Sequence, residues 1–198
     1  TGAGTVDDPG DMMIIGNTTP RYSYSFRIEA SWNGFDISAF FQGVGKRDWY
    51  PTANKDDIYG ANQFWQLYGY TIPSFITYDF MDDVWSEQNL GGYFPRLRPI
   101  QSYNGGPLGQ NNDRYLQSVA YLRFKNLTIG YTLPVLKKYL SKLRIYVSGE
   151  NLCYWSPLKK HCKLIDPELA ISSGTYKGGT GTGYTMPRTF SFGVDITF

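Results

Sequence analysis

Pro187-Arg188-Thr189-Phe190-Ser191-Phe192-Gly193-Val194-Asp195-Ile196-Thr197-Phe198 is the stretch that decides the fold. Successive side chains of a strand point to opposite faces. Phe190, Phe192, Val194, Ile196 and Phe198 therefore share one face, and Thr189, Ser191, Gly193, Asp195 and Thr197 share the other. The ends of soluble domains are usually polar and frayed, whereas here the apolar stripe runs to the final residue. A transmembrane β-barrel needs this pattern, because lipid and lumen alternate along every strand. The expectation is a terminal strand held in a barrel seam, with no free edge.

Composition agrees. Tyr (17), Phe (12) and Trp (5) make the chain rich in aromatics, yet mean hydropathy is only -0.37. No run of about 18 apolar residues exists, which excludes a transmembrane helix. Basic and acidic residues nearly balance, 19 against 17, so there is no electrostatic footprint for nucleic acid. Residues 1–10 are small and acidic, without the basic start and apolar stretch of a secretory signal. The natural beginning of the polypeptide is expected to lie elsewhere.

Working back from the terminal strand, residues 22–32 alternate, with Tyr22, Tyr24, Phe26, Ile28, Ala30 and Trp32 opposite Ser23, Ser25, Arg27, Glu29 and Ser31. Asn33-Gly34 supplies a tight turn. Residues 35–43 return with Phe35, Ile37, Ala39 and Phe41 on the apolar face, and Phe40 interrupts the pattern. A third strand spans 119–133, but its phase changes. Leu122 and Phe124 are apolar in the first half, Leu127, Ile129 and Tyr131 in the second. Either a bulge near Asn126 or an upper section above the membrane accounts for this. Residues 143–152 form the fourth strand and 187–198 the fifth. Long connections, 44–118 and 153–186, separate them, while residues 1–21 lead in.

With the last residue placed in the periplasm, the strands run down, up, down, up, down. Asn33-Gly34 and the basic connection 134–142 become inner turns, and both long connections fall outside, which is the asymmetry of outer-membrane barrels. Trp32 and Tyr131 then belong to the interfacial aromatic girdles, and Arg27, Glu29, Asp36, Arg144 and Glu150 face the lumen. Five strands leave two open edges in lipid, where unpaired backbone groups are costly. The expectation is an all-β, antiparallel transmembrane barrel of which this chain supplies one part.

Several blocks then match a family. Ile14-Ile15-Gly16-Asn17-Thr18-Thr19-Pro20-Arg21-Tyr22, Phe40-Phe41-Gln42-Gly43-Val44-Gly45-Lys46-Arg47-Asp48, Tyr121-Leu122-Arg123-Phe124-Lys125-Asn126-Leu127-Thr128-Ile129-Gly130-Tyr131-Thr132-Leu133-Pro134, Ser148-Gly149-Glu150-Asn151-Leu152 and Met186-Pro187-Arg188-Thr189-Phe190-Ser191-Phe192-Gly193 resemble SusC/RagA-type TonB-dependent transporters. Ser191, Gly193, Ile196 and Phe198 also resemble the outer-membrane insertion signal, polar-x-Gly-x-x-apolar-x-aromatic. The resemblance implies the last five strands of a plugged barrel of about 22 strands in the cell outer membrane. It implies import of oligosaccharides or peptides, a SusD-like surface lipoprotein as lid, and a TonB complex acting through an N-terminal region before Thr1. It implies no cofactor and no enzyme activity.

Candidate substrate contacts lie in the first long connection. Phe64, Trp65, Tyr68, Tyr70, Trp85 and Tyr93 offer flat faces for sugar rings, and Asn62, Gln63, Asp82, Asp83, Gln88 and Asn89 offer hydroxyl partners. Packing within the loop is the stronger expectation for any one aromatic. Aromatic and amide richness favours glycan over peptide. A soluble glycan-binding β-sandwich is the rival fold. Asp7, Asp8 and Asp11 lack EF-hand spacing and read as a solvated turn, so no metal is expected. Cys153 and Cys162, on the oxidising side, leave a disulfide and free thiols equally open. His161 lacks the neighbours a zinc site needs, and no Gly-x-Ser-x-Gly or phosphate loop is present.

Overall fold

The computed structural model describes residues 7, 10, 12–50, 66–67, 82–96, 98–99, 112–134, 140–163, 165–170 and 186–198. Its strands are β1 (Ser23–Trp32), β2 (Phe35–Val44), β3 (Asp48–Trp49), β4 (Gln66–Leu67), β5 (Arg98–Pro99), β6 (Gln117–Ser118), β7 (Tyr121–Leu133), β8 (Lys142–Trp155) and β9 (Thr189–Thr197). The five long strands form one antiparallel sheet in the order β1-β2-β7-β8-β9. Asn33 and Gly34, with φ of 48° and 86°, make the β1–β2 turn. Positive φ at both central positions suits the right-handed twist of the flanking strands.

Register turns the alternation of each strand into rows across the sheet. Ala30, Ile37, Ile129, Val147 and Phe192 lie side by side on one face, and Trp32, Phe35, Tyr131, Ile145 and Val194 form the next row. Above them Phe26, Phe41 and Phe124 stack, with centroid spacings of 4.9 and 4.5 Å. The face is uncovered, Ile37 being 41% and Phe192 71% exposed. A contiguous apolar surface of this extent is not left to water by a soluble domain. It is the lipid-facing band of a barrel wall, and it argues against the soluble sandwich, which would bury it against a second sheet.

The opposite face is small or polar, with the rows Glu29, Ser38, Thr128, Ser148, Ser191 and Ser31, Asp36, Gly130, Tyr146, Gly193. Phe40 sits on it beneath the Arg27 guanidinium, 5.6 Å from the ring centroid. The phase change in β7 is a bulge. Phe41 pairs with Phe124 and Phe40 with Asn126, so Lys125 has no partner on β2. On the other side Asn151 and Leu152 of β8 lie opposite this one residue, and Asn151 takes the left-handed conformation at φ 51°. Asn tolerates that region better than most residues. Bulging this extra residue out of the ladder keeps Leu122 and Phe124 on the same apolar face as Leu127 and Ile129.

A strand tilted in a bilayer crosses in about 9–11 residues. β1, β2 and β9, with 10, 10 and 9 residues, match that length, while β7 and β8, with 13 and 14, extend past it. On this projecting end the two long connections build a small core. Trp49, Tyr50, Val84, Phe94, Tyr115, Val119, Leu158, Cys162, Ile165 and Ala170 are buried together, with Tyr93 and Leu116 against them. β3 and β6 pair beside it. No periodicity marks these residues in the sequence because the core is assembled from single residues scattered over irregular backbone.

Both cysteines are free thiols, so the disulfide alternative is not realised. Cys153 pairs with Phe124 on the apolar face of the sheet, whereas Cys162 belongs to the buried core of the lobe.

Candidate functional site

Two charged arrangements organise the polar face. Lower in the sheet, Arg144 on β8 forks onto Asp36 of β2 through Nε at 2.9 Å and Nη2 at 2.6 Å, and reaches Asp195 of β9 through Nη1 at 3.0 Å. β7 lies between β8 and β2, and the contact passes over Gly130. A Cβ at Gly130 would stand 2.6 Å from the Arg144 Nε. The planar guanidinium fits a carboxylate with two parallel bonds, tying three strands together. Gly193 plays the same part for Tyr146, whose ring would meet a Cβ there at 2.3 Å, and Arg144 lies 4.9 Å from that ring centroid.

Higher up, Arg123 of β7 is 2% exposed and is enclosed by the second long connection. It pairs with Asp166, and with Glu168 at 2.9 Å, while Lys125 reaches Glu168 at 3.1 Å. Its guanidinium also stacks 4.9 Å from the Tyr154 ring centroid. Asp166 in turn accepts from the Glu168 amide at 3.0 Å. A buried cation is tolerated only when paired in this way, so Arg123 pins residues 165–170 onto the polar face of the sheet.

The two long connections meet at His161. Its Nδ1 lies 2.5 Å from Asp83 Oδ2, its ring stacks on Tyr93 at 3.6 Å and 13°, and Phe94 meets it edge-on. Tyr93 donates its hydroxyl hydrogen to the Arg114 carbonyl and accepts from Gln117 at 3.0 Å. Burial raises the Tyr93 phenol above its usual range. The same cause lifts Tyr50 to about 12, against a lowering contribution from Asn112.

Of the residues singled out for substrate, Phe64, Trp65, Tyr68, Tyr70, Asn62 and Gln63 lie outside the described residues. Trp85 is at the lobe surface, 37% exposed, with Gln88 exposed nearby. Asn89 donates its amide to the Asp82 and Val84 carbonyls at 2.9 and 3.1 Å, closing the turn that carries Trp85. Tyr93 and Asp83 hold His161, so their groups face the lobe. Sequence reasoning named Tyr93 and Asp83 for substrate and missed that His161 joins them, since their separation in sequence hides the contact. Arg27, Glu29, Asp36, Arg144 and Glu150 all lie on the polar face. Ser191, Gly193 and Ile196 lie within β9, and Phe198 follows it. Asp7 is exposed, Asp8 and Asp11 lie outside the described residues, and no three metal-ligating side chains gather among the described residues.

A five-stranded antiparallel sheet with a lipid-facing band, a polar face held by ion pairs, and a folded lobe on one end defines a section of an outer-membrane β-barrel. Comparison with known proteins points the same way. TonB-dependent receptor P3 of Formosa agariphila is 28% identical over 95% of this chain and 17% of its own length. In structure the chain is similar to the RagAB peptide transporter, with a TM-score of 0.56, 21% identity, and coverage of 93% of this chain and 18% of that one. It is likewise similar to the RagAB peptide importer in the open-open state, with a TM-score of 0.53, 22% identity, and coverage of 91% and 17%. No family model matches. The resemblance to SusC/RagA-type TonB-dependent transporters therefore stands, and the chain is an outer-membrane protein segment spanning under a fifth of these relatives.

Proposed function

We propose that this chain forms five neighbouring strands in the wall of a TonB-dependent outer-membrane importer of oligosaccharides, with a plugged barrel of about 22 strands. The observation that carries the reading is the five-stranded sheet with one lipid-facing and one polar face and, among the described residues, a lobe at one end. In this reading residues 44–118 and 153–186 are extracellular and make the floor on which a SusD-like lipoprotein seats. A TonB complex acts on a region outside this chain, and β1 and β9 pair with further strands of the same polypeptide. Trp85, exposed on a turn braced by Asn89, offers a flat face to the C–H face of a sugar ring. Peptide is the second reading, favoured by the RagAB peptide importers to which the fold is similar.

The test is uptake by cells whose full-length gene is deleted and then restored. Labelled oligosaccharide and labelled oligopeptide mixtures are offered, with and without a Trp85→Ala change. Loss of oligosaccharide uptake on deletion, and weakened capture by the Trp85 variant, supports the glycan reading. Loss confined to oligopeptides replaces it with the peptide one, and unchanged uptake of both removes the transport assignment.

A further inference from the structure

The second long connection folds back across the polar face of the sheet, below the rim of the wall. Arg123 lies in the row Ser25, Gln42, Arg123, Tyr154. On the other face the flanking rows are Tyr24, Gly43, Leu122, Trp155 above and Phe26, Phe41, Phe124, Cys153 below. Tyr24, Phe26 and Trp155 are exposed there. Successive side chains of a strand point to opposite faces, so Arg123 stands at the height of the lipid-facing band but on its inner side. Its partners Asp166 and Glu168 are drawn down to that height, and Glu168 reaches further from the rim, to Lys125 at 3.1 Å. Residues 165–170 therefore cover the inner side of a wall whose outer side meets hydrocarbon.

The segment is a compact turn, anchored at several points. The Leu169 and Ala170 amides donate to the Asp166 carbonyl at 3.0 and 3.1 Å, and the Ile165 amide donates to the Cys162 carbonyl at 3.2 Å. Ile165 and Ala170 enter the core of the lobe, and Pro167 is fully buried. The Tyr154 hydroxyl donates to the Ile165 carbonyl at 3.3 Å, while the Tyr154 ring is faced by the Arg123 guanidinium and the Lys159 ammonium, 4.9 and 3.9 Å from its centroid. Removing the carboxylates would leave Arg123 an uncompensated cation, which is costly. Leu169 is half-buried and takes no part in these ion pairs. Beneath the turn, Arg27, Glu150 and Thr189 of the same face are exposed, so among the described residues the covering stops at this height.

An anchored turn on the inner side of a barrel wall takes up part of the opening. We infer that residues 165–170 form a fixed ledge just inside the outer opening of the barrel and set the greatest girth of cargo that enters. The inference rests on the proposed function, in which the polar face is the lumen and the lobe end is extracellular. Transporter selectivity follows from the diameter of the passage and from the groups that line it. A backbone layer packed on a sheet stands about 10 Å from it, about twice the spacing of neighbouring extended chains. The ledge therefore takes from the opening a width comparable to that of a cargo chain, and its buried ion pairs hold it there without a moving part.

The test measures import by cells lacking the gene and carrying the full-length transporter with its lid. Labelled oligosaccharides and oligopeptides are each offered as a series from linear to progressively branched. Leu169→Trp enlarges the ledge and leaves its anchors in place. It is expected to lower import of the bulkiest cargo that the parent accepts several-fold, with linear cargo unchanged. Asp166→Asn combined with Glu168→Gln releases the ledge and, in protein that keeps compact migration on unheated gels, is expected to admit branched cargo that the parent excludes. If the double variant does not fold, Leu169→Trp decides alone. The parent's size profile in either folded variant overturns the inference, as does a fall shared equally by linear and branched cargo, and both leave the transporter reading standing. A parent that imports neither series removes the transport reading and the ledge's role with it.

Discussion

Arg144 can bridge Asp36 and Asp195 only because residue 130 is glycine. Gly130→Ala puts a methyl carbon 2.6 Å from the Arg144 Nε and 2.7 Å from the Asp36 Oδ1, so the bidentate pair must shift. Arg144→Met is the harsher change, leaving two carboxylates on the polar face without their shared cation. Hydrogen bonds to charged groups contribute roughly 1.5–3 kcal/mol each, and partial solvent access places the expected cost toward the lower figure. Urea titration of the refolded barrel, followed by loss of compact migration on unheated gels, measures it. An unchanged midpoint for Arg144→Met would show that the triad adds nothing to the wall. In the lobe, Tyr50 and Tyr93 have phenols raised by burial. A free phenol titrates at about 10, so the lobe is fully stabilised by these groups below that pH. As pH rises from about 10 toward the folded value of about 12 for Tyr50, the open state ionises first and that stability is lost. Fluorescence of buried Trp49, with the other tryptophans replaced, is expected to report lobe opening in this window.

At the scale of elements, the two halves of β7 stay in phase because the extra residue, Lys125, bulges out of the ladder with β2. Deleting Lys125 joins Phe124 directly to Asn126 and leaves Leu122 and Phe124 on the lipid face with Leu127 in unbroken alternation, at the expense of the Lys125–Glu168 ion pair. Barrel assembly is expected to survive this deletion and to fail for deletion of Thr128, inside the regularly paired half of β7, where a one-residue slip exchanges the faces of the strand above it. Asn151, at φ 51° on the facing strand, makes a finer test. Asn151→Gly is expected to be tolerated, while Asn151→Val costs about 1–2 kcal/mol for the left-handed backbone, read as a lower urea midpoint. The same bulge marks the limit of what sequence shows. Strict alternation made β1, the Asn33-Gly34 turn and β9 legible, and the change from Phe124 to Leu127 disclosed an irregularity. It did not show that β8 compensates with two residues against one, which depends on the neighbouring strand. The lobe core stayed hidden for another reason. Trp49, Phe94, Tyr115 and Leu158 come from widely separated points on irregular backbone, with no period of two or 3.6 to betray a shared face. Only the density of aromatics pointed to packing there.

On the scale of the whole molecule, the sheet and the lobe are held by different forces, so they have separable stabilities. The sheet is a continuous hydrogen-bonded ladder with its apolar rows in lipid, whereas the lobe depends on a small buried cluster and on contacts between two connections. Local opening draws on segments with few buried contacts and exposed backbone. His161 is the joint between those connections: Asp83, Tyr93 and Phe94 of the first hold the imidazole of the second. Replacing it by alanine removes a charge-assisted contact and a stacked ring at once, while β7 and β8 retain their ladder. Hydrogen exchange of the full-length protein in nanodiscs is therefore expected to accelerate in His161→Ala for residues 82–96 and 157–170, by roughly ten-fold for each 1.4 kcal/mol lost, with β1, β2 and the lower half of β7 unchanged. Asp83→Asn, which keeps the side-chain shape and the Tyr93 stack, is expected to fall between the two. Acceleration spread evenly over sheet and lobe would mean that they open together. Binding of a lid to the outer surface would then be felt by the barrel wall through the sheet itself rather than through this one joint.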